Sequence, residues 1–383
     1  MSLYGLTQEY LKPEPKEEPL TFLGPRKQSA EKISKEIKTS VETKRPVKMV
    51  IHGVFGIGKT HLVFNVMARL GKTVDPYYLE CPSCHRRSKF IELESVMMRK
   101  IGKAAFMRNL RNCIEDFQGQ SSQIQNFLGV DADFVEVLKK GLVEDENLLW
   151  KFLLGNKLTS AQMITLSSVK SQIDDLEASR IISITAKLFE KYEEKKILFI
   201  LDEMEKTDPL MGDSMMGYRD TIRDLMDSSN SAGIIMISSG RDLQDFRLLN
   251  DDPIQRRIGL NNFKRFRPYE DEELLQLMKE IIMDKRKNDF PLEEKINSAK
   301  TNEKLDKTNF PFTEEALKEI LAYDHYLVES AMANIPAVRP NELLQLMDMA
   351  LIHAKDKSLP IIDSSIIKDV AKEFVAGIAP EEI

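Results

Sequence analysis

The sequence predicts an α/β fold in which a parallel β-sheet carries a helical insertion and is followed by an all-helical C-terminal part. Three apolar runs, Val47–Ile51 (interrupted by Lys48), Ile197–Leu201 and Gly233–Ile237, are typical of parallel strands that are buried on both faces. Segments with helical spacing separate these runs, and such an alternation indicates a parallel α/β sheet. After Pro268 only helical patterns remain.

Composition and charge are those of an ordinary globular protein. The chain has 383 residues, of which 42% are hydrophobic and 30% charged, so it can bury a sizeable core. Its net charge of −6 does not indicate nucleic-acid binding over the whole surface, so such a site would have to be a local patch. No apolar run approaches the ~18 residues of a membrane span, and the N-terminus has no secretory pattern. Together with an odd number of cysteines, three, this predicts a cytoplasmic protein without membrane contact.

The remaining elements follow in chain order. Residues 1–20 alternate proline with charge and are expected to form a flexible lead-in. Residues 28–43 have the spacing of an amphipathic helix, and Val74–Leu79 is predicted as a strand with an irregular start at Pro76. From about residue 91 to 180 a helical pattern is too long for a simple connection, which predicts a helical insertion. The predicted parts of the chain are a lead-in, a nucleotide-binding core and a helical lid, over residues 1–20, 21–267 and 268–383.

The segment after the first strand, Gly53-Val54-Phe55-Gly56-Ile57-Gly58-Lys59-Thr60, has the spacing G-x-x-x-x-G-K-T. A strand precedes it and a helix beginning at His61 follows, which is the context of the phosphate-binding loop of P-loop NTPases. Its glycines let backbone N–H groups approach a phosphate, and the helix N-terminus adds partial positive charge. Lys59 is expected to reach the β- and γ-phosphates, and the Thr60 hydroxyl to ligate Mg²⁺. All of Gly53–His61 is therefore predicted to bind a nucleoside triphosphate.

Two acids end the second apolar run. Asp202 and Glu203 follow Ile197–Leu201, and an acid pair at a strand end, downstream of a phosphate-binding loop, indicates a Walker B element. Asp202 is predicted to hold the Mg²⁺ that bridges the β- and γ-phosphates, and Glu203 to orient or deprotonate the attacking water. Catalysis of this kind depends on positioning and charge neutralisation, to which Lys59 also contributes.

The third apolar run ends in Ser238 and Ser239. A hydroxyl at this strand end is suited to contact the γ-phosphate or the attacking water, and Ser239 is the first choice for that role. A serine that only serves the turn explains the residue equally well. Both alternatives stay open at this point.

A pair of arginines, Arg256 and Arg257, follows on a short helical segment. An arginine at the edge of a nucleotide-binding core can reach into the site of a neighbouring subunit as an arginine finger. A solvated basic face is the simpler explanation, and the residues alone favour it.

The stretch Cys81-Pro82-Ser83-Cys84-His85 has two further interpretations. It matches a haem-attachment spacing, but that chemistry requires export, for which the sequence has no signal. A C-x-x-C pair also supplies half of a tetrahedral zinc site, which Cys113 and His85 would complete only if the fold brought them together. A structural zinc at Cys81 and Cys84 and a turn without metal both stay open, and the turn is favoured.

The stretch Arg86–Arg111 contains eight basic side chains and only two acids, although the whole chain is acidic. Such a local excess of positive charge is suited to contact the phosphates of DNA. A solvated helical face that pairs with acids elsewhere in the chain is the alternative.

In this order, the motifs resemble those of AAA+ ATPases, and within that class the origin-recognition and replication-initiator ATPases of archaea and eukaryotes. Phe266-Arg267-Pro268-Tyr269 resembles the family's entry from the sheet into the lid, which implies that Tyr269 contacts the nucleotide. The segment from Asp252 to Arg257 resembles its finger segment, which implies that Arg257 acts in trans, with Arg256 beside it.

Two further segments extend the resemblance over roughly residues 20–375. Val338–Leu344 resembles the second sensor, which implies that Arg339 faces the γ-phosphate, and Phe22–Arg26 resembles the segment that flanks adenine. The family usually has asparagine where this chain has Ser239, and its initiators carry a C-terminal winged-helix domain beyond the lid. An architecture that ends just past the lid, at Ile383, is also similar to that of DNA-linked ATPase adaptors of transposons and defence systems.

These features together predict a molecular switch that binds and hydrolyses ATP with Mg²⁺. The resemblance implies that it acts on or near DNA, in replication, transposition or defence, and assembles into homo- or hetero-oligomers in a nucleotide-dependent manner. A STAND-type signalling or scaffold NTPase that holds ATP or ADP as a latch is the alternative from another functional class. A protein that binds nucleotide and hydrolyses none is the third.

Overall fold

The fold is described from a computed structural model of the chain. The described residues are 4–7, 11, 24, 26–228, 231–240, 243–331 and 340–378. They form two compact units, one made of residues 1–34, 53–69 and 266–383 and the other of residues 35–52 and 70–265.

Within the described residues, the sheet has five strands. In chain order they are β1 (Lys48–Gly53), β2 (Val74–Glu80), β3 (Lys196–Asp202), β4 (Ala232–Ser239) and β5 (Phe263–Arg265). Their order in the sheet is β2-β3-β4-β1-β5, and the pairs β2–β3, β3–β4 and β1–β5 are parallel. The predicted parallel α/β sheet is confirmed. Pro76 lies on the edge strand β2, opposite Leu198 of β3. An edge strand tolerates a residue that has no backbone N–H donor.

The described helices fall into two groups in chain order, those before β5 and those after it. Those before β5 are α1 (Arg26–Glu42), α2 (Lys59–Arg69), α3 (Phe90–Ile101), α4 (Lys103–Asp116), α5 (Ser121–Leu128), α6 (Ala132–Glu144), α7 (Glu146–Leu153), α8 (Ser160–Leu166), α9 (Asp175–Tyr192), α10 (Gly212–Ser228) and α11 (Asp252–Ile258). Those that follow β5 are α12 (Asp271–Asp284), α13 (Leu292–Ser298), α14 (Glu314–Ala331), α15 (Pro340–Asp356) and α16 (Ser364–Ile378).

In the chain, the helices α3 to α9 follow β2 and precede β3, and they form the predicted helical insertion. Local signals set the ends of these helices, and α9 begins with a capping box. The side chain of Asp174 accepts from the backbone N–H of Glu177 at 2.9 Å, and the Glu177 carboxylate accepts from the backbone N–H of Asp174. The buried face of α9 packs on β3 and β4, and α3 packs on β2 and α9. One continuous apolar core joins the sheet to the insertion.

The unit that contains the C-terminal helices has its own apolar core, formed mainly by α12, α14, α15 and α16. Tyr4, Leu6 and Leu11 belong to this core. The Tyr4 hydroxyl donates to the carbonyl of Leu359 at 2.7 Å, and the backbone N–H of Leu11 donates to Asp348 at 2.6 Å. Residues 4–7 and 11 thus pack on this core, whereas the proline-and-charge stretch 12–19 lies outside the described residues, so the flexible lead-in stays a prediction.

The predicted domain boundaries at residues 20 and 267 stay predictions. The compact units group the phosphate-binding loop and α2 with the C-terminal helices, whereas the sequence assigned the loop to a core ending at residue 267. Within the described ranges, no helix is both long and apolar enough to cross a membrane.

Candidate nucleotide-binding site

The predicted phosphate-binding loop joins β1 to α2, as its motif requires. Gly56 and Gly58 have φ values of +81° and +87°, in the left-handed region that favours glycine. A Cβ atom at Gly53 would lie 2.6 Å from the carbonyl oxygen of Phe266, so only glycine fits there. These three positions show why the motif is rich in glycine. Gly56 and Gly58 are needed for the left-handed backbone conformation, and Gly53 is needed because there is no room for a Cβ atom.

The side chain of Lys59 lies inside its own loop. It is buried, with 6% of its surface exposed, and its Nζ donates to the carbonyl oxygens of Gly53 and Val54 at 2.9 Å each. Ile57 is fully buried beneath the loop, whereas Phe55 is 68% exposed at its tip. The Lys59 ammonium can exchange these carbonyl acceptors for phosphate oxygens, which accept more strongly because they are charged.

The predicted metal ligand Asp202 ends β3 and is buried, with 5% of its surface exposed. Its Oδ2 accepts from the Tyr78 hydroxyl at 2.8 Å, and its Oδ1 accepts from the backbone N–H of Glu203 at 2.8 Å. Burial and the neighbouring Asp202 carboxylate raise the pKa of Tyr78, so its hydroxyl stays a proton donor at neutral pH. A carboxylate oxygen has two lone pairs, so a carboxylate that accepts such hydrogen bonds is also of the kind that can ligate Mg²⁺.

Glu203, the predicted catalytic acid, adopts a left-handed backbone conformation with φ +56° and ψ +39°. This conformation is uncommon for a residue other than glycine. The side chain is 39% exposed and forms an ion pair with Lys206. The hydrogen bond to Glu203 raises the pKa of Lys206, so the Lys206 ammonium stays charged at neutral pH.

Ser239 lies at the end of β4, as predicted, and is the more accessible of the two serines, since Ser238 is 2% exposed. The backbone N–H of Ser239 donates to the Glu205 carboxylate at 3.0 Å. Glu205 belongs to the short turn of 3₁₀ helix, Met204–Thr207, that follows the acid pair. The ends of β3 and β4 are thereby tied together, and the role of the Ser239 side chain stays a prediction.

The two arginines of α11 differ in their contacts. The Nε atom of Arg257 donates to both oxygens of Asp227, at 2.9 and 2.8 Å, and this partner raises the pKa of the guanidinium. Arg256 is exposed and has no acid partner within the described residues. The side chain to which the resemblance assigns the finger role is therefore held within its own chain, while its neighbour is not. The finger role itself stays a prediction.

The predicted nucleotide contact Tyr269 lies in the unit that also holds the loop. Its ring packs under the guanidinium of Arg26, whose central carbon is 3.9 Å from the ring centroid and 4.7 Å from that of Phe266. Arg26 is 6% exposed and donates to the carbonyl of Arg267 at 2.6 Å. The two segments that resemble the adenine-flanking and lid-entry motifs are thus joined by one buried cation. Arg339 lies outside the described residues.

The C-x-x-C pair follows β2, and its thiols are free and buried. Cys84 Sγ lies 3.5 Å from the Tyr218 hydroxyl, whereas His85 bonds to Ser88 and Cys113 is buried on α4. Among the described residues, no group of three or more histidines, cysteines or acids is placed to hold a metal ion. The zinc site considered from the sequence lacks its third and fourth ligands there, because the fold takes His85 and Cys113 elsewhere. Hydrogen bonds from Cys81 and Tyr218 lower the pKa of Cys84 to about 7 despite its burial.

The basic stretch Arg86–Arg111 divides into two parts. On α4, Arg108 pairs with Glu193, and Arg111 pairs with Glu146. The other exposed cations have no acid partner within the described residues: Arg86, Arg87, Lys89, Arg99 and Lys100. Pairing with acids elsewhere thus accounts for part of the stretch only.

Tyr78, Lys206 and Arg26 were not identified as site residues from the sequence. Tyr78 lies on β2, in register with Ile200, and Glu80 is in register with Asp202. Only this strand pairing places a tyrosine beside the acid, so a register prediction for β2 and β3 was the signal that could have found it. Lys206 is three residues from Glu203, a spacing that a helical turn brings together.

Comparison with known proteins gives matches in structure alone. No protein-family model and no curated protein matches this sequence. The solved structure of the Aeropyrum pernix ORC1 protein in complex with DNA is similar, with a TM-score of 0.51 and 12% identity, over 95% of this chain and 68% of that one. The Aeropyrum pernix ORC2 protein in its ADP form has the same TM-score and identity, over 93% of this chain and 72% of that one. The chain therefore has the fold of these two Aeropyrum pernix proteins, which agrees with the α/β fold that the sequence predicts.

Proposed function

We propose that this protein binds MgATP through the loop Gly53–Thr60 and the acids Asp202 and Glu203, and hydrolyses it as an AAA+ molecular switch that acts on or near DNA. One observation carries the nucleotide part of the proposal. β1 and β3 belong to one parallel sheet; β1 leads into a loop with two left-handed glycines and a buried lysine, and β3 ends in a buried carboxylate. Parallel strands present their carboxyl ends at one edge, where such folds bind ligands.

The donor atoms fit the expected metal. Mg²⁺ prefers oxygen ligands and usually takes one or two from the protein together with phosphate oxygens and waters. The Asp202 carboxylate and the Thr60 hydroxyl are of that kind. Bound Mg²⁺ would neutralise charge on the β- and γ-phosphates, while Lys59 contacts the same phosphates and Glu203 positions the attacking water.

The test of this function is hydrolysis by matched variants. Lys59→Met should abolish ATP binding, whereas Lys72→Met, an exposed lysine just beyond α2, should leave it intact. Glu203→Gln should retain ATP binding and lose hydrolysis, whereas Glu115→Gln, an exposed acid on α4, should retain both. A normal rate in Glu203→Gln would refute the assignment of the catalytic acid.

Two observations support the DNA part of the proposal. Five exposed cations of residues 86–100 have no acid partner within the described residues, and the similar ORC1 protein was solved in complex with DNA. Arg86→Ala/Arg87→Ala should weaken duplex binding and lower the slope of log affinity against log salt by about 0.9 for each lost phosphate contact. Arg108→Ala/Arg111→Ala is the matched control, because those two arginines already pair with acids. Binding to duplex DNA that is absent or insensitive to salt contradicts this part.

Assembly is proposed to stimulate hydrolysis through Arg257, with Arg256 beside it. A mixture of Lys59→Met, which supplies arginines but binds no ATP, and Arg257→Ala, which binds ATP, should hydrolyse faster than either variant alone. Particle size with and without ATP and duplex DNA should be measured on the same samples. If stimulated turnover survives in pure Arg257→Ala, the finger assignment is wrong.

The signalling or scaffold alternative is favoured by one pair of contacts. Glu203 is held by Lys206 and Arg257 by Asp227, so both groups proposed for hydrolysis are engaged within their own chain. A nucleotide latch would keep these pairs and show a single slow turnover at every protein concentration. Multiple turnovers that rise with concentration distinguish the switch from the latch.

A further inference from the structure

The C-x-x-C pair is connected to the turn that carries the proposed catalytic acid. The backbone N–H of Cys81 donates to the carbonyl of Asp202 at 2.8 Å, and the N–H of Cys84 donates to the carbonyl of Lys206 at 3.3 Å. The two cysteines therefore bond to both ends of the turn 202–206, which contains Glu203. Any change in the spacing of the pair acts on this turn directly.

The two thiols also share surroundings that suit a dithiol. Both sulfur atoms lie 3.6 Å from one acceptor, the carbonyl oxygen of Pro82. The Tyr218 hydroxyl lies 3.5 Å from the Cys84 sulfur, and Tyr218 is itself fixed by a perpendicular ring contact with Phe90 at 5.6 Å. Cys84 is 9% exposed and Cys81 is 1% exposed, so Cys84 is the thiol that a reagent reaches first.

We propose that Cys81 and Cys84 form a reversible dithiol–disulfide site whose oxidation displaces the turn 202–206. The oxidant is a low-molecular-weight disulfide. The Cys84 thiolate attacks one sulfur of that disulfide, whose S–S bond breaks and releases one thiolate. Cys81 then attacks the Cys84 sulfur as a thiolate, the mixed disulfide bond breaks and the second small thiolate leaves. The two released thiolates take up the two protons that Cys84 and Cys81 lose, so two protein thiols are oxidised and one small disulfide is reduced to two thiols.

Closure of the disulfide changes the local bonding. The sulfurs must approach to about 2.05 Å, and the carbonyl of Pro82 loses both thiol donors. The backbone of 81–84 adjusts, and its two bonds to Asp202 and Lys206 transmit the change to Glu203. The consequence for ATP hydrolysis rests on the proposed function, whereas the formation of the disulfide and the displacement of the turn do not.

The test uses the full chain equilibrated with excess oxidised glutathione, followed by denaturation, alkylation and mass spectrometry. Wild type should change from three alkylated cysteines to one, and Cys113→Ser, which keeps the pair, from two to none. Cys84→Ser should form no internal disulfide. Hydrogen exchange at amides 203–206 should differ between the reduced and oxidised forms of Cys113→Ser, while exchange in α12 stays the same.

Three results would overturn the inference: persistence of all three thiols, a disulfide that includes Cys113, or a glutathione adduct on Cys84 that Cys81 does not resolve. Unchanged exchange at 203–206 in a fully oxidised sample would also overturn it, because the link to the turn would be absent. A protein that binds no ATP would still give all of these readouts, so failure of the proposed function is recognised separately.

Discussion

Replacement of Tyr78 by phenylalanine is a direct test of whether Asp202 holds the metal. The Tyr78 hydroxyl donates to Oδ2 of Asp202 at 2.8 Å and cannot ionise at neutral pH, because burial and the carboxylate raise its pKa. A hydrogen bond to a charged group contributes ~1.5–3 kcal/mol, and loss of a partner that orients a metal ligand typically lowers metal affinity ~10–100-fold. The variant should therefore need about 10–100-fold more Mg²⁺ for half-maximal hydrolysis.

The assay is the ATPase rate as a function of Mg²⁺ concentration, together with ATP binding in the presence of a chelator. ATP binding without metal should be the same in Tyr78→Phe and wild type, because the lost bond acts through Asp202. Tyr77→Phe is the matched control on the same strand, since its hydroxyl donates to Asp75 at 2.8 Å and not to a site residue. An unchanged Mg²⁺ requirement in Tyr78→Phe, or an equal shift in Tyr77→Phe, would refute the reasoning.

Three other changes test individual contacts. Lys206→Met should raise the basal ATPase rate by at most about fivefold, because its pair with Glu203 is exposed and such pairs contribute up to ~1 kcal/mol; a lower rate would show that Lys206 helps catalysis. Asp227→Ala should release Arg257 and increase the concentration-dependent stimulation of hydrolysis, and an unchanged concentration dependence would contradict the finger role. Glu94 is fully buried without a hydrogen-bond partner among the described residues, and burial raises its pKa well above 4.5. The folded state then binds the proton more tightly, so stability falls as pH rises above about 4.5, by up to ~1.4 kcal/mol per pH unit. Glu94→Gln should therefore gain stability over wild type from pH 5 to pH 7 in urea unfolding, and a difference independent of pH would contradict the raised pKa.

Local signals in the sequence were sufficient for the architecture. Residues buried on both faces of a parallel sheet form continuous apolar runs, so β1, β3 and β4 could be found without knowledge of their neighbours. Glycine readily adopts the left-handed backbone conformation that other residues avoid, so the glycines of the motif already indicated the conformations that Gly56 and Gly58 have. The packing of residues 4–7 could not be predicted in the same way, because it depends on partners that are distant in the chain.

The sequence by itself determined which residues are proposed to bind phosphate and metal, since the loop, the lysine and the acid pair each follow a strand or begin a helix that local patterns reveal. Only the tertiary structure decided what surrounds them. Strand register brings Tyr78 to Asp202, and packing of α11 against α10 brings Asp227 to Arg257. The hydrogen bonds from Cys81 and Cys84 to the turn after β3 are of the same origin. Side chains separated by tens of residues meet through the pairing of strands and the packing of helices, and no periodicity in the sequence encodes such distances.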